Sequence, residues 1–290
     1  MVQPMSETTC LPFDPLVKPP RERLPQGTCD CHFHVFEDVR RYPLVDKRSY
    51  TPVAAPMVEY RRMMAAIGIE RAVLVQPSVY GSDHSLFVDM LQEHQAWLRG
   101  VAVVRADTPE KDVELWHDAG SRGSRVNALY AAGAPVAEIK AIVQRIPHGW
   151  HLQVCIDVEA QPQLLQRIVD MGVPVVVDHI GHLPAERAVG SSGFANLVSL
   201  LREGRVWAKL SGPYRLTAQR TGFGDVRPLV DRLVQANPDR LVWGSDWPHP
   251  SIAPPMVNDT DLANLACEWL ADAELRRKVL VTNPTGLYWH

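Results

Sequence analysis

Eight short apolar segments alternate with helical segments along this chain, and the alternation predicts a single-domain α/β protein folded as a (β/α)8 TIM barrel. Buried parallel strands are continuous apolar runs, and each needs a crossover helix before the next strand. A chain of 290 residues is long enough for one such barrel. The predicted strands span residues 29–36, 71–78, 100–104, 123–127, 151–156, 173–179, 206–211 and 241–246.

Helical patterns separate most of these strands. They span residues 58–67, 85–98, 109–119, 136–146, 161–171, 194–203 and 225–236. Residues 261–281 are predicted to form one or two closing helices that Asn283-Pro284 ends. A doubly wound open sheet is the alternative fold. Neither G-x-G-x-x-G nor G-x-x-x-x-G-K-[ST] follows any predicted strand, which removes the commonest reasons for that alternative.

The first 27 residues are predicted to form an extended arm, and residues 28–290 the barrel. The arm carries six prolines and no apolar segment of the kind that a secretory signal needs. Five cysteines without a C-x-x-C pair favour a reduced, cytoplasmic protein. No apolar run approaches the roughly 18–20 residues that cross a bilayer. We therefore expect no membrane partner.

The net charge of −3 and the absence of a long basic run argue against a nucleic-acid partner. A small molecule is the better expectation for such a chain. The long polar and aromatic segment 37–56 is too irregular for a helix, and loops of this length in compact domains are usually functional. The sequence does not reveal the oligomeric state.

His32 and His34 form a His-x-His pair in the first predicted strand. Side chains at i and i+2 share one face of a strand, so the two imidazoles are expected to converge. A neutral imidazole can bind a metal ion or donate a hydrogen bond to a polarised carbonyl. Such a pair also occurs by chance in ordinary strands, so the rest of the chain must decide its meaning.

Polar residues end most of the predicted strands, where a barrel collects its catalytic groups. Burying so many unpaired polar groups would cost about 1–3 kcal/mol each, so we expect them to converge on a ligand. Asp246 is the hardest to explain as packing, because a carboxylate that closes an apolar strand needs partners or a function. Asp178 and His249 could equally be structural, and Arg125 and Arg215 could be surface ion pairs. The strand-end residues are His32, His34, Gln76, Ser78, Arg125, Asn127, His151, Gln153, Asp178, His179, Lys209, Ser211 and Asp246, with Tyr214, Arg215 and His249 just beyond.

Three of these strand ends together resemble the amidohydrolase superfamily, in its branch of lactone-acting enzymes. They are Asp30-Cys31-His32-Phe33-His34, Val177-Asp178-His179-Ile180-Gly181 and Trp243-Gly244-Ser245-Asp246-Trp247-Pro248-His249. The resemblance extends from about Thr28 to Trp289. The enzymes that the chain resembles include lactonases of pyrone dicarboxylates and of sugar acids. Several ordered motifs at consistent spacing are specific, whereas any one alone is not.

The resemblance implies that His32, His34, His179 and Asp246 build the reaction centre and bind the metal if one is present. It implies one Zn²⁺ or another divalent ion, or none, because some members of this branch work without metal. Arg125 and Arg215 match arginines that bind a substrate carboxylate, and Ser78 matches a strand-two substrate contact. Asn127, Gln153 and Tyr214 are added as further candidate substrate contacts from their places at the strand ends.

The chain also departs from the superfamily pattern. The bridging lysine and the metal histidine of binuclear members, on strands four and five, have no counterpart in Arg125-Val126-Asn127 or Leu152-Gln153-Val154. A two-metal site is therefore not expected. A second arginine and a strand-five tyrosine of the pyrone dicarboxylate lactonase are absent from residues 128–133 and 152–157. The substrate ring is left open between pyrone carboxylates, muconolactones and sugar-acid lactones.

The predicted function is hydrolysis of a carboxylated lactone in aromatic or sugar-acid catabolism. Asp246 is the predicted general base, and His32, His34 and His179 polarise the carbonyl directly or through one metal ion. A lactone isomerase and a zinc-dependent decarboxylase of aromatic acids are the enzymatic alternatives on the same fold. A non-catalytic binding barrel is a further alternative, and the complete set of three histidines with Asp246 argues against it.

Overall fold

The computed structural model describes residues 9–129, 136–188 and 190–290. Eight parallel strands pair in sequential order in one sheet. The last strand returns to the first through hydrogen bonds from Asp246 N to His32 O (2.8 Å) and from His34 N to Trp247 O (2.8 Å). The predicted (β/α)8 barrel is confirmed. Its strands are β1 Cys29–Phe33, β2 Arg71–Val75, β3 Leu98–Ala102, β4 Ser121–Asn127, β5 His151–Cys155, β6 Val175–Val177, β7 Val206–Leu210 and β8 Leu241–Trp243.

Helices cross between the strands and close the chain after β8, as the sequence predicts. The predicted helix 85–98 ends early because Leu98 opens β3, and a short helix not predicted from the sequence follows β6. The crossover helices are α1 Met57–Ile67, α2 Ser85–Glu93, α3 Glu110–Ala119, α4 Ile139–Arg145, α5 Pro162–Val169, α6 Ala185–Ala188, α7 Ser192–Arg202 and α8 Arg227–Ala236. The closing helices are α9 Asp259–Trp269, α10 Ala273–Arg277 and α11 Asn283–Tyr288.

The prediction that Asn283-Pro284 ends the closing helices is wrong. Pro284 lies in the first turn of α11, and the chain is already helical before it, because a π-helical turn, Lys278–Thr282, joins α10 to α11. The Asn283 side chain donates to the carbonyl oxygens of Pro238 (2.8 Å) and Leu241 (2.7 Å). These bonds attach the start of α11 to the beginning of β8, and α11 carries Tyr288 into the apolar cluster of the barrel interior.

Alternation along the strands divides the core into two parts. One set of strand residues, including Leu74 on β2 and Leu152 on β5, packs in the larger cluster with the helices. The alternate set fills the barrel interior around Tyr288 and consists of Cys29, Cys31, Val73, Val75, Val101, Val176 and Val242. The polar residues at the carboxyl ends of the strands lie outside this apolar cluster.

The described part of the N-terminal arm, residues 9–27, lies against the barrel. Its backbone nitrogens donate from Cys10 to Thr51 O (2.9 Å), from Lys18 to Thr260 Oγ1 (2.8 Å) and from Arg21 to Asn264 Oδ1 (2.7 Å). Residues 1–8 of the predicted arm lie outside the described residues. Among the helices of the described ranges, none has the length and apolar character that a bilayer crossing requires.

Gly244 lies where β8 approaches β1 most closely. A Cβ atom at this position would meet His32 N and His32 Cβ, both at 2.8 Å. The backbone nitrogen cannot move without breaking the β1–β8 junction, so only glycine fits here.

Replacing Gly244 by alanine is expected to destabilise the fold by about 1–3 kcal/mol, because the added methyl overpacks the junction. Gly286→Ala is the matched control, since its Cβ meets nothing within 4 Å and alanine favours the helix. Urea unfolding of both variants measures the difference. Equal stability of the two variants would contradict the close approach.

Candidate active site

Asp246 is the centre of the polar end of the barrel. It follows β8, is 1% exposed, and has φ of 65°. A non-glycine residue in this left-handed region costs on the order of 1–3 kcal/mol and persists only where the surroundings impose it. Here the hydrogen bond from Asp246 N to His32 O imposes it. The carboxylate is thereby directed towards the side chains of β1.

The two oxygens of Asp246 have different partners. Oδ2 accepts hydrogen bonds from Tyr214 OH (2.7 Å) and from Arg215 Nε (2.6 Å). Oδ1 is buried without a hydrogen-bond partner and lies 3.7 Å from His32 Nε2 and 4.0 Å from His34 Nε2. Burial alone would raise the pKa of Asp246, but Arg215 and the neighbouring imidazoles hold it well below its usual value. Asp246 is therefore an ionised carboxylate with one uncommitted oxygen.

His32 and His34 lie beside that oxygen, and His179 packs against His32. The His32 ring centroid is 5.1 Å from that of His34 and 4.8 Å from that of His179. Burial lowers the pKa of His32 to about 4, with Lys209 adding to the effect. Burial also lowers the pKa values of His34 and His179 well below the usual value. All three imidazoles are neutral near pH 7.

The hydrogen position on His34 is fixed by its neighbour. Its Nδ1 lies 2.7 Å from the carbonyl oxygen of Val75, which can only accept, so Nδ1 carries the hydrogen. A neutral His34 therefore presents an Nε2 lone pair to the site. That atom can bind a cation or accept a hydrogen bond from water, but it cannot donate one to a carbonyl.

A second buried carboxylate, Asp178, lies behind the histidines. Its Oδ2 accepts from Arg125 Nε and Gln153 Nε2, both at 3.0 Å. Its Oδ1 lies 3.5 Å from Lys209 Nζ and 3.3 Å from His32 Nδ1. Burial would raise the pKa of Asp178, but Lys209, His32 and Arg125 lower it well below the usual value. Its structural role is thus to link β1, β4, β5 and β7.

Lys209 is the cation of that network and is fully buried. Its Nζ donates to Cys31 O (2.9 Å) and Gln153 Oε1 (2.7 Å) and lies 3.4 Å from His32 Nδ1. The sequence shows a lysine in the apolar run of β7, but nothing in the sequence alone reveals that it reaches beneath His32.

Above this network a cavity opens to solvent. Six predicted side chains, His34, Ser78, Arg125, Asn127, His179 and Arg215, line it together with Asp246. Tyr50, Cys155, His182, Pro250 and Ser251 complete the lining and were not predicted.

The structure does not place every predicted residue against the cavity. Gln153 is fully buried, and its two amide ends are held by Asp178 and Lys209. Tyr214 contacts Asp246 rather than the cavity. His32 lies below the lining, beside Asp246 Oδ1. Tyr50 comes from the irregular segment 37–56, whose length was the signal in the sequence.

The donor set fits one divalent cation. His32 Nε2 and Asp246 Oδ1 are buried without hydrogen-bond partners, and with His34 Nε2 they form a group of potential ligand atoms within 4.8 Å of one another. His34 has the tautomer that a metal requires. His32, Asp178 and His179 form a second such group, but Asp178 is already bound by Arg125 and Gln153. The first group is the better fit.

Comparison with known proteins shows one family over nearly the whole chain. The family model described as amidohydrolase matches residues 29–289. A 2-pyrone-4,6-dicarboxylate hydrolase of Comamonas testosteroni is 34% identical, over 93% of this chain and 92% of its own. A 4-sulfomuconolactone hydrolase of Hydrogenophaga intermedia is 32% identical, over 96% and 94%. The crystal structure of a putative 2-pyrone-4,6-dicarboxylic acid hydrolase of Pseudomonas putida has a TM-score of 0.78 and 30% identity, over 92% and 98%.

Removing the charge of Lys209 is expected to destabilise the fold strongly. Lys209→Met leaves Gln153 Oε1 without its donor and Asp178 with Arg125 as its remaining cation, and breaking a buried pair costs about 3–5 kcal/mol. The matched control is Lys278→Met, which breaks an exposed pair with Asp239 and should cost at most about 1 kcal/mol. Denaturant unfolding measures both. A loss below 1 kcal/mol for Lys209→Met would refute the role of the network.

Proposed function

Because this enzyme belongs to the amidohydrolase family, in its lactonase branch, we propose that it hydrolyses the lactone ring of a carboxylated small molecule. The observation that carries the proposal is the uncommitted Oδ1 of Asp246, which lies beside His32 and His34 in a cavity lined by two arginines. The names of the two relatives support it, since both are hydrolases of carboxylated or sulfonated ring compounds.

Asp246 is the proposed general base. A lactone is a cyclic ester, so its hydrolysis needs an activated water and stabilisation of a tetrahedral oxyanion. A water bound between Oδ1 and the histidines gives its proton to Oδ1 as its oxygen attacks the carbonyl carbon. The protonated Asp246 then returns the proton to the ring oxygen as the C–O bond breaks. The product is a hydroxy acid.

The histidines are the groups proposed to polarise the lactone carbonyl. The Nδ1 of His179 lies 2.9 Å from Ser211 Oγ, which orients the ring and leaves Nε2 for the cavity. His34 accepts rather than donates, so it serves to hold the water or a cation. A divalent ion held by His32, His34 and Asp246 would supply Lewis acidity and lower the pKa of bound water.

Arg125 and Arg215 are the proposed carboxylate-binding groups. Each binds its aspartate through Nε, Arg215 Nη2 also donates to Pro250 O (3.1 Å), and both guanidinium groups line the cavity. The buried centre also contains Lys209, so three cations face the two carboxylates Asp178 and Asp246. Two guanidinium groups that line one cavity favour a ligand with a carboxylate, which supports an acidic lactone.

Asp246→Asn is expected to lower kcat by about 10²–10⁴-fold, because asparagine cannot take the proton of water. The assay uses pyrone carboxylates, muconolactones and aldonolactones, each with and without chelator, alongside metal analysis of the protein. Asp239→Asn, an exposed aspartate, is the control. Near-wild-type turnover by Asp246→Asn would exclude Asp246 as the general base. A product that is still cyclic would indicate an isomerase, and loss of carbon dioxide a decarboxylase.

The two arginines are expected to differ on substitution. Arg125→Met should raise KM for an acidic lactone more than it lowers kcat, because Arg125 contacts Asp178 rather than the base. Arg215→Met should lower kcat as well, because Arg215 also orients Asp246. Steady-state kinetics with an acidic lactone and its neutral methyl ester separate the two effects. Unchanged KM for both variants would show that neither arginine binds the carboxylate.

A further inference from the structure

A chain of buried hydrogen-bonding groups leads away from Asp246 on the side opposite the cavity. Tyr214 OH lies 2.7 Å from Asp246 Oδ2 and 2.9 Å from His249 Nδ1. His249 Nε2 lies 3.3 Å from Asp259 Oδ1. Tyr214 is 8% exposed, Asp259 1% and His249 fully buried. The proposed mechanism gives none of these three side chains a role.

The direction of the first two hydrogen bonds follows from the donors available. Asp246 Oδ2 is paired with the Arg215 guanidinium at 2.6 Å and therefore accepts, so the single hydrogen of Tyr214 points to this oxygen. The tyrosine oxygen must then accept from His249 Nδ1, which therefore carries a hydrogen. His249 Nε2 faces the Asp259 carboxylate. No hydrogen bond joins His249 Nε2 to Asp259 Oδ1, 3.3 Å away, so Asp259 acts by its contact with the edge of the imidazole that is remote from Tyr214.

Ordinary packing does not explain Asp259. It lies in the first turn of α9, but the cap of that helix is the neighbouring Asn258, whose Oδ1 accepts from Thr260 N. Within the described residues, both oxygens of Asp259 are buried without a hydrogen bond, and His249 is its one ion-pair partner. His249 itself has φ of 60°, a strained backbone that turns its ring towards Tyr214. Buried carboxylates and strained residues persist where another function requires them.

We propose that Tyr214, His249 and Asp259 are positioning residues that hold Oδ2 of Asp246 and so leave Oδ1 as the oxygen that reacts with water. The inference rests on the proposed function, because it concerns the same general base. Arg215 holds Oδ2 from one direction, and Tyr214 fixes the rotation of the carboxylate from a second. Without Tyr214 the carboxylate can turn about its Cβ–Cγ bond, and Oδ1 leaves the histidines.

The hydrogen-bond chain is tested without substrate by NMR of protein labelled with [¹⁵N]histidine. The Nδ1–H signal of His249 is assigned by its loss in His249→Gln. We expect it to shift in Tyr214→Phe and in Asp259→Asn. Two matched controls should leave it in place. They are Tyr42→Phe, which removes a tyrosine bond to Asp89, and Asp261→Asn, which removes an exposed carboxylate from the same turn of α9. If the signal is unchanged in both Tyr214→Phe and Asp259→Asn, the proposed link from Tyr214 through His249 to Asp259 is refuted.

The positioning role is tested by the kinetics of the same variants on the acidic lactone that the wild type opens fastest. Tyr214→Phe should lower kcat by about 10–100-fold with KM changed less than about threefold, as expected for a displaced reacting group. Asp259→Asn should lower kcat about 3–10-fold, and the double variant should be no slower than Tyr214→Phe, because the two residues act in series. Asp259→Glu, which retains the carboxylate, should recover part of the loss.

The outcomes separate this inference from the proposed function. Lactone hydrolysis that persists within twofold of wild type in Tyr214→Phe, or effects that multiply in the double variant, overturn the positioning role and leave the proposed function standing. A wild-type protein that opens no lactone overturns the proposed function even if the NMR signal behaves as expected. If Tyr214→Phe does not fold by circular dichroism, Asp259→Asn decides, and an unchanged kcat in that variant overturns the inference.

Discussion

The site depends on the ion pair of Asp178 with Lys209 and Arg125 in the interior of the barrel. A single charge in this position would cost several kcal/mol to desolvate, and each of the three is retained only because the others are present. The network joins side chains of β4 and β7 to the end of β6, and it reaches His32 on β1. Four parts of the sheet are therefore fixed relative to one another by charge, at the level where the reaction centre begins.

The same network sets the chemical state of the histidines above it. Burial disfavours imidazolium, and the nearby ammonium of Lys209 disfavours it further at His32. Neutral rings are the forms that bind cations or exchange hydrogen bonds with water and a carbonyl. Arg215 has the opposite effect on Asp246, since it keeps that carboxylate ionised although burial would protonate it. The separation of the pKa values of acid and base groups in one cavity is characteristic of catalytic centres.

The sequence predicted the barrel because alternation of apolar strands and helices is a local signal that repeats eight times. Barrel geometry gave the list of strand-end residues, because a parallel barrel brings all strand ends to one face, and the family resemblance selected His32, His34, His179 and Asp246 from that list. It could not distinguish residues that line the cavity from those beneath it, since Gln153 and Arg125 both end strands and only packing separates them. The sequence placed Lys209 among the strand-end residues but did not reveal its contacts beneath His32, and Asp259 gave no signal, because both roles arise from contacts with distant parts of the chain. The prediction at Asn283-Pro284 failed because proline usually ends a helix, whereas here the helical path continues from the π-helical turn Lys278–Thr282 into α11.

Asp246 has to satisfy two requirements that pull in opposite directions. A carboxylate that takes a proton from water needs one oxygen without hydrogen-bond donors. A buried oxygen without donors costs free energy, however, and allows the carboxylate to rotate. The structure meets both by concentrating the donors on one side. Tyr214 and Arg215 bind Oδ2, and Oδ1 faces His32 and His34. Since neutral His34 offers Oδ1 no hydrogen, the gap between them can be filled only by a species that both can bind, which is a water molecule or a cation. Because Oδ1 of Asp246 has no hydrogen-bond partner in the described residues, it is available to bind this water molecule or cation.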